Sequence, residues 1–193
     1  KDIKGQNTDI PDWILKQDNG YHISSEADLK EFRDRVNAGE TFKGRTVKLA
    51  ADIELTGDWT PIGIGAQSFS GTFDGGGHVI SNVNVDITTS ADNDNYYAGL
   101  FGTVSGGTLE NLGVKNADIR LHSVGRAGAL VGSIGDGTVR NCYSTGRIFG
   151  DAADSISDIG GLIGFVSNST VENCYSLADV TSESALSDTG GLI

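Results

Sequence analysis

Short apolar patches alternate with polar, glycine-containing stretches along most of the chain, and they recur at a nearly fixed interval. "AGLFG" begins at Ala98, "GALVG" at Gly128, "GGLIG" at Gly160 and "GGLI" at Gly190. The closing glycines Gly102, Gly132 and Gly164 lie 30 and 32 residues apart. Asn82, Asn111, Asn141 and Asn173 keep similar steps of 29, 30 and 32. Each unit holds three apolar patches; in the unit opening at Gly128 they cover 129–131, 139–144 and 147–149. Such patches are too short for helix pairs. They predict an all-β fold, a right-handed parallel β-helix with three strands per turn and about five turns. Equivalent residues of successive turns then stack at about 4.8 Å.

That geometry predicts columns. Ile80, Leu109, Val139 and Val171 form an apolar, inward one, and Val83, Leu112, Cys142 and Cys174 another three residues on. A spacing of three breaks strict alternation, so the chain must bend between them, at the asparagine. Stacked asparagines can hydrogen-bond in a ladder. Ser81, Glu110, Arg140 and Glu172 precede them, with charges that alternate between rungs.

The first part of the chain differs. In "SSEADLKEFRDRVNAG", Leu29, Phe32 and Val36 have helical spacing. Ser25 and Asp28 can form a capping box, and Gly39 can stop the helix. This predicts an N-terminal segment and capping helix over 1–45, with the Trp13 segment helping to cover the solenoid end, and the β-helix over 46–193. The closing "GGLI" begins a rung, so further rungs or domains of a parent chain, or a partner, are expected beyond it.

"GLFG", "ALVG" and "GLIG", each followed by "GTLENL", "GTVRNCYSTG" or "STVENCYS", resemble the GLUG repeat of bacterial surface and secreted proteins. The run from "YHISSEADLKEFRDRVNAG" through "WTPIG" to "FSGTFDGGGHVISN" is similar to the segment that often precedes such repeats, so the resemblance covers about residues 21–193. It implies an extracellular or cell-surface module of bacterial adhesin-like proteins, or the non-catalytic part of immunoglobulin-A-cleaving metallopeptidases. It supplies no catalytic residues to carry over. The asparagine-cysteine-tyrosine phrase is complete only in the last two units.

Charge narrows the partners. Lys and Arg number 14 against 26 Asp and Glu, a net charge of -12. Nucleic acid and anionic membranes repel such a chain, and no apolar run is long enough for a membrane span. Cysteine exchanges with leucine and valine in one inward column, which suits a small apolar filler. A disulfide between stacked Cys142 and Cys174 is also geometrically reasonable. Two cysteines without a histidine in step do not complete a four-ligand zinc site.

The sequence contains no "HExxH", "GxSxG" or "GxxxxGK[ST]" motif, and no enzyme is expected. Asp74 with His78 is the local acid–base candidate. Alignment on the asparagines sets Asp74 beside Thr103, Ser133 and Phe165, with no acidic partner. Two binding candidates remain. Tyr143 and Tyr175 should point outward on neighbouring rungs, as a sugar platform or as ordinary cross-strand packing. The loops after the third strand are acidic: Asp92 and Asp94, then Asp151, Asp154 and Asp158, then Glu183 and Asp188. Asp92 and Asp94 are weak calcium candidates, lacking EF-hand spacing. "NST" at Asn168 matches a glycosylation sequon. The leading expectation is a non-enzymatic adhesive or spacer module. The alternatives are a module that binds a surface glycan or host protein, and an accessory domain of a secreted peptidase or polysaccharide-active enzyme.

Overall fold

The computed structural model describes residues 20–88, 96–122, 125–151, 157–183 and 187–193. Trp13, Asp92, Asp94 and Asp154, singled out above, lie outside them. Helix α1 (Glu26–Asn37) is the helix among the described residues, and Leu29, Phe32 and Val36 form its buried face. Ser25 is its N-cap, accepting from the Asp28 amide at 3.1 Å. The return half of the capping box is displaced by one residue: the Asp28 carboxylate accepts from the amide of Ser24, at 2.9 Å. Gly39 follows the helix at φ +103°, a conformation that stops a helix and suits glycine.

The remainder is a parallel β-solenoid of about five turns. Tyr21–Ile23, Thr46–Leu49, Thr72–Asp74, Thr108–Glu110, Thr138–Arg140 and Thr170–Glu172 pair in one six-stranded sheet. The first of these strands precedes α1, so the solenoid's hydrogen bonding begins upstream of the helix. A second sheet holds the long strands Gly113–Leu121, Tyr143–Gly150 and Tyr175–Ser182, continued by Val79–Ser81, Asn84–Ile87 and Ile53–Glu54. Two narrower sheets, one of Tyr96–Ala98, Gly125–Ala127, Ser157–Gly160 and Asp188–Gly190, the other of Phe101–Ser105, Val131–Gly135 and Ile163–Ser167, complete each turn. Short corners at Gly99-Leu100, Gly128-Ala129-Leu130 and Gly161-Leu162 separate the two ladders.

The repeat's closing glycine has a steric cause. A Cβ at Gly164 would stand 2.6 Å from the Gly132 carbonyl oxygen. A Cβ at Gly102 would stand 2.4 Å from that of Gly63. Neighbouring rungs approach too closely here for any side chain.

Three rungs follow the expected register and the first does not. Leu109, Val139 and Val171 stack as expected. The residue below Leu109 is Phe73, however, while Ile80 pairs with Ile53 and Val114 in the second sheet. The asparagine column likewise contains Asn111, Asn141 and Asn173 only. Asn141 Nδ2 donates to Asn111 Oδ1 at 2.9 Å, and Asn173 Nδ2 to Asn141 Oδ1 at 3.3 Å. All three have φ between 53° and 54°, the left-handed region that asparagine tolerates, and the bend falls there. Asn82 instead aligns with Asn116, both again left-handed, and donates to Glu54. The slip has a simple origin: "TFDGGGH" takes the place of "TLENLG", and its asparagine equivalent is a glycine.

Correcting the register changes two neighbouring columns. Asp74, not Ser81, precedes the bend and pairs with Glu110, so Lys48, Asp74, Glu110, Arg140 and Glu172 form one column. Its signs do not alternate strictly, because Asp74 and Glu110 are adjacent. Thr46, Thr72, Thr108, Thr138 and Thr170 form the other, a threonine ladder of favourable cross-strand pairs.

The core changes character along the axis. Near the helix it is aromatic. Phe32 lies 5.0 Å from Phe42, 5.6 Å from Phe69 and 5.7 Å from Phe73, centroid to centroid, and Phe101 extends the cluster. Trp59 is buried and donates from Nε1 to the Leu100 carbonyl at 3.0 Å. Farther on the core is aliphatic, with Leu109, Val131, Ile134, Val139, Ile148, Leu162 and Ile163 fully buried. On the last rung, the inward Val171, Cys174 and Val180 are only partly buried, and the outward Leu177 is 72% exposed.

Candidate functional site

The second sheet's long strands carry Arg120, Tyr143, Arg147, Phe149 and Tyr175. Tyr143 alternates with buried Cys142 and Ser144, so strand geometry points its ring outward. Tyr143 and Tyr175 are in register, with centroids 5.2 Å apart and an interplanar angle of 7°. A Cβ at Gly113 would meet Tyr143 Cζ at 2.5 Å, so that ring also lies against the rung below. The two tyrosines thus turn their faces along the solenoid axis towards their neighbours. Tyr175 is 52% exposed. Lys115 Nζ lies 5.9 Å from the Tyr143 centroid.

Behind the tyrosines, the strand phrase sits inward as expected. Cys142 is buried and Cys174 partly so; both are free thiols on successive rungs. Cys142 Sγ contacts the Arg140 carbonyl and Cys174 Sγ that of Glu172, each at 3.2 Å. The neighbouring Cys174 thiol and burial push the Cys142 thiol up, while Cys142 lowers that of Cys174. Ser144 is fully buried, and its hydroxyl lies 2.8 Å from the Gly161 carbonyl and 2.9 Å from Ser176 Oγ.

The acid–base candidate is taken apart. Asp74 accepts from the Gly76 amide and from Asn111 Nδ2, both at 2.9 Å. His78 Nδ1 instead faces Asp52 at 3.0 Å. The Val79 amide, and then His78, hold the Asp52 carboxyl below its usual range. Asp74 does have an acidic neighbour in register, Glu110, contrary to the asparagine-based alignment. Glu110 is committed to Arg140, 2.5 Å away.

Two of the described acidic loop residues are paired. Asp151 Oδ1 lies 2.6 Å from His122 Nδ1, and Asp158 accepts from Arg126 Nε at 2.9 Å. Arg126 Cζ also lies over the Phe165 ring, 3.6 Å from its centroid. Among the described residues no group of three or more His, Cys, Asp or Glu side chains is placed to hold a metal ion. The calcium candidates Asp92 and Asp94 lie outside the described residues. Asn168, in the sequon, has φ 47° and donates from Nδ2 to Asp136.

Sequence reasoning missed a groove farther along the same outward face. Arg120, His122, Arg147, Phe149 and Thr181 line a space of about 430 Å³. Arg120 aligns with Phe149, and Phe149 with Thr181, so three rungs contribute. A bulge between Val114 and Ala117 shifts the register by one residue and so sets Arg120 beside Phe149. The available signal was "GRIFG", in which Arg147 and Phe149 flank the inward Ile148.

Fold and face together define a parallel β-solenoid built from repeats of about thirty residues. Residues 123–148 and 156–181 match the GLUG motif, so the chain carries two GLUG repeats. It is 32% identical over 145 residues to halomucin from Haloquadratum walsbyi (strain DSM 16790 / HBSQ001), an alignment covering 68% of this chain and 2% of halomucin. The aligned segment is thus a small part of that protein's length. A crystal structure provisionally assigned as an immunoglobulin A1 protease from Bacteroides ovatus is 18% identical, with a TM-score of 0.47 over 90% of this chain and 70% of that one. No helix among the described residues is long and apolar enough to cross a membrane.

Proposed function

We propose that this domain is a non-catalytic, rigid spacer of a secreted or cell-surface protein, which holds neighbouring parts of its parent chain at a fixed distance and orientation. The observation that carries this reading is the unbroken parallel ladder from Tyr21–Ile23 to Thr170–Glu172. Each rung is hydrogen-bonded to the next through the backbone, and the rungs of Asn111, Asn141 and Asn173 also through their amides, so bending requires many bonds to yield together. Six stacked strands give roughly 24 Å of rise. The match to a small part of a protein named as a mucin suits a module repeated or embedded within a long extracellular chain.

The test is replacement within the parent protein. An unrelated rigid solenoid of equal rise should preserve surface display of the neighbouring domains. A flexible Gly/Ser linker of equal contour length should not. If the rigid substitute fails while its neighbours remain folded, the domain acts through its own surface and the spacer reading is wrong.

A further inference from the structure

We propose that the groove lined by Arg120, His122, Arg147, Phe149 and Thr181 is a binding site for a neutral, hydroxyl-rich glycan. Its charges argue for an uncharged ligand. Asp118 sits between two guanidinium groups: Arg120 Nε and an Arg120 terminal nitrogen donate to its oxygens at 3.2 and 3.0 Å, and an Arg147 terminal nitrogen lies 3.3 Å away. His122 stands between Asp151 at 2.6 Å and Asp86 at 3.5 Å. Asp179 is in register with Arg147. The cations of the groove are therefore matched by at least as many carboxylates. An anionic ligand would have to displace these partners and meet four carboxylates. A metal cation would meet two guanidinium groups.

A sugar suits the same surface without that conflict. Each hydroxyl can both donate and accept, and a paired Arg–Asp edge offers both functions at once. The Thr181 hydroxyl adds a third group of this kind. Phe149 is only partly buried, on the outward face of its strand, and its ring meets His122 edge-on with centroids 6.3 Å apart. That ring supplies apolar surface for the C–H face of a sugar. The volume of about 430 Å³ falls within the range ordinary for small-ligand sites. Because Arg120, Phe149 and Thr181 come from successive rungs, the site exists only in the assembled solenoid. It is also distinct from the tyrosine pair, whose ring faces are largely taken up by each other and by Gly113.

The experiment is amide-resolved NMR titration of the domain with neutral oligosaccharides of mannose, galactose and N-acetylglucosamine, and with sialyllactose and oligoglucuronate as acidic probes. A neutral probe should shift amides around 118–122, 147–151 and 179–182. Phe149→Ala should weaken that binding by about tenfold and Arg147→Gln by several-fold, with unchanged circular dichroism. The double variant Tyr143→Ala/Tyr175→Ala should bind as the wild type does. Tighter binding of the acidic probes, shifts confined to Tyr175 and its neighbours, or no shift at millimolar concentrations would each overturn the proposal. None of these results bears on the spacer test, which reads display of neighbouring domains.

Discussion

The first turns and the repeat rungs solve the same packing problem differently. Val47, Phe73, Leu109, Val139 and Val171 occupy one inward column, but the sequence steps between them are 26, 36, 30 and 32 residues. In the early turns, chain length varies and large aromatic rings fill the interior under the helix. In the later rungs, length is nearly constant and small aliphatic groups and glycines let rungs approach closely. Isolated bridges such as Asp58 to Asn84, Ile62 to Phe101 and Phe69 to Val104 show the early chain joining the solenoid point by point rather than by full strands. Regular repetition is therefore one route to a solenoid core; an irregular segment achieves the same closure by burying a few large side chains.

This contrast can be broken most severely at the aromatic end. Phe32→Ala should destabilise the domain by about 3–5 kcal/mol, because the ring is fully buried against three others. Urea unfolding should show a much larger loss than for Val139→Ala, and an equal loss for both would deny the special role of the cluster.

Gly164→Ala comes next, at about 1–3 kcal/mol, since its Cβ would strike the backbone of the preceding rung. Gly135→Ala, with no atom within 4 Å of an added Cβ, is the matched control and should stay within about 0.5 kcal/mol. Thermal melts of the pair would show whether close approach, rather than glycine content, governs the repeat.

Asn141→Ala removes both the amide ladder and a side chain tolerant of positive φ, and should cost about 1–2 kcal/mol. Asn141→Gly keeps the conformation and should cost less. If glycine proves the worse of the two, the ladder matters more than the bend.

The smallest effect is the part of the pH dependence that Glu26 contributes at the helix end. Glu26 is hydrogen-bonded to Lys30 and Thr56, and these partners lower its carboxyl from 4.5 to about 2. A carboxylate with a depressed folded-state value contributes stability that is fully present above the unfolded value near 4.5. That contribution fades as pH falls towards about 2. Melting curves from pH 6 to pH 2 should show a steeper decline for the wild type than for Glu26→Gln; parallel declines would remove Glu26 from the account.

The particular residues show what could be read in advance. The bend at Asn111, Asn141 and Asn173, the inward Cys142 and Ser144, and the buried helix face Leu29, Phe32 and Val36 were all legible in the sequence. Periodicity of 30–32 residues and of helical turns reports local geometry directly. The register of Phe73 was not legible, because its turn closes with glycines where later turns use asparagine, and a match of intervals led to Asn82 instead. Nor was the groove. Arg120, Phe149 and Thr181 have no common motif, and they meet only because a bulge resets the pairing of the long strands.

The sequence by itself determined that this chain stacks into a parallel solenoid, where its later rungs turn, and which of their side chains face inward. Each of these depends on neighbours within a few residues and on repetition of the same solution. The tertiary structure alone decided the register of the first turns and how the outward side chains meet across rungs, where Tyr143 is covered by Tyr175 and Arg120 lies beside Phe149. Such contacts join residues about thirty positions apart, and insertions, bulges and corners set their alignment in ways that no local pattern records.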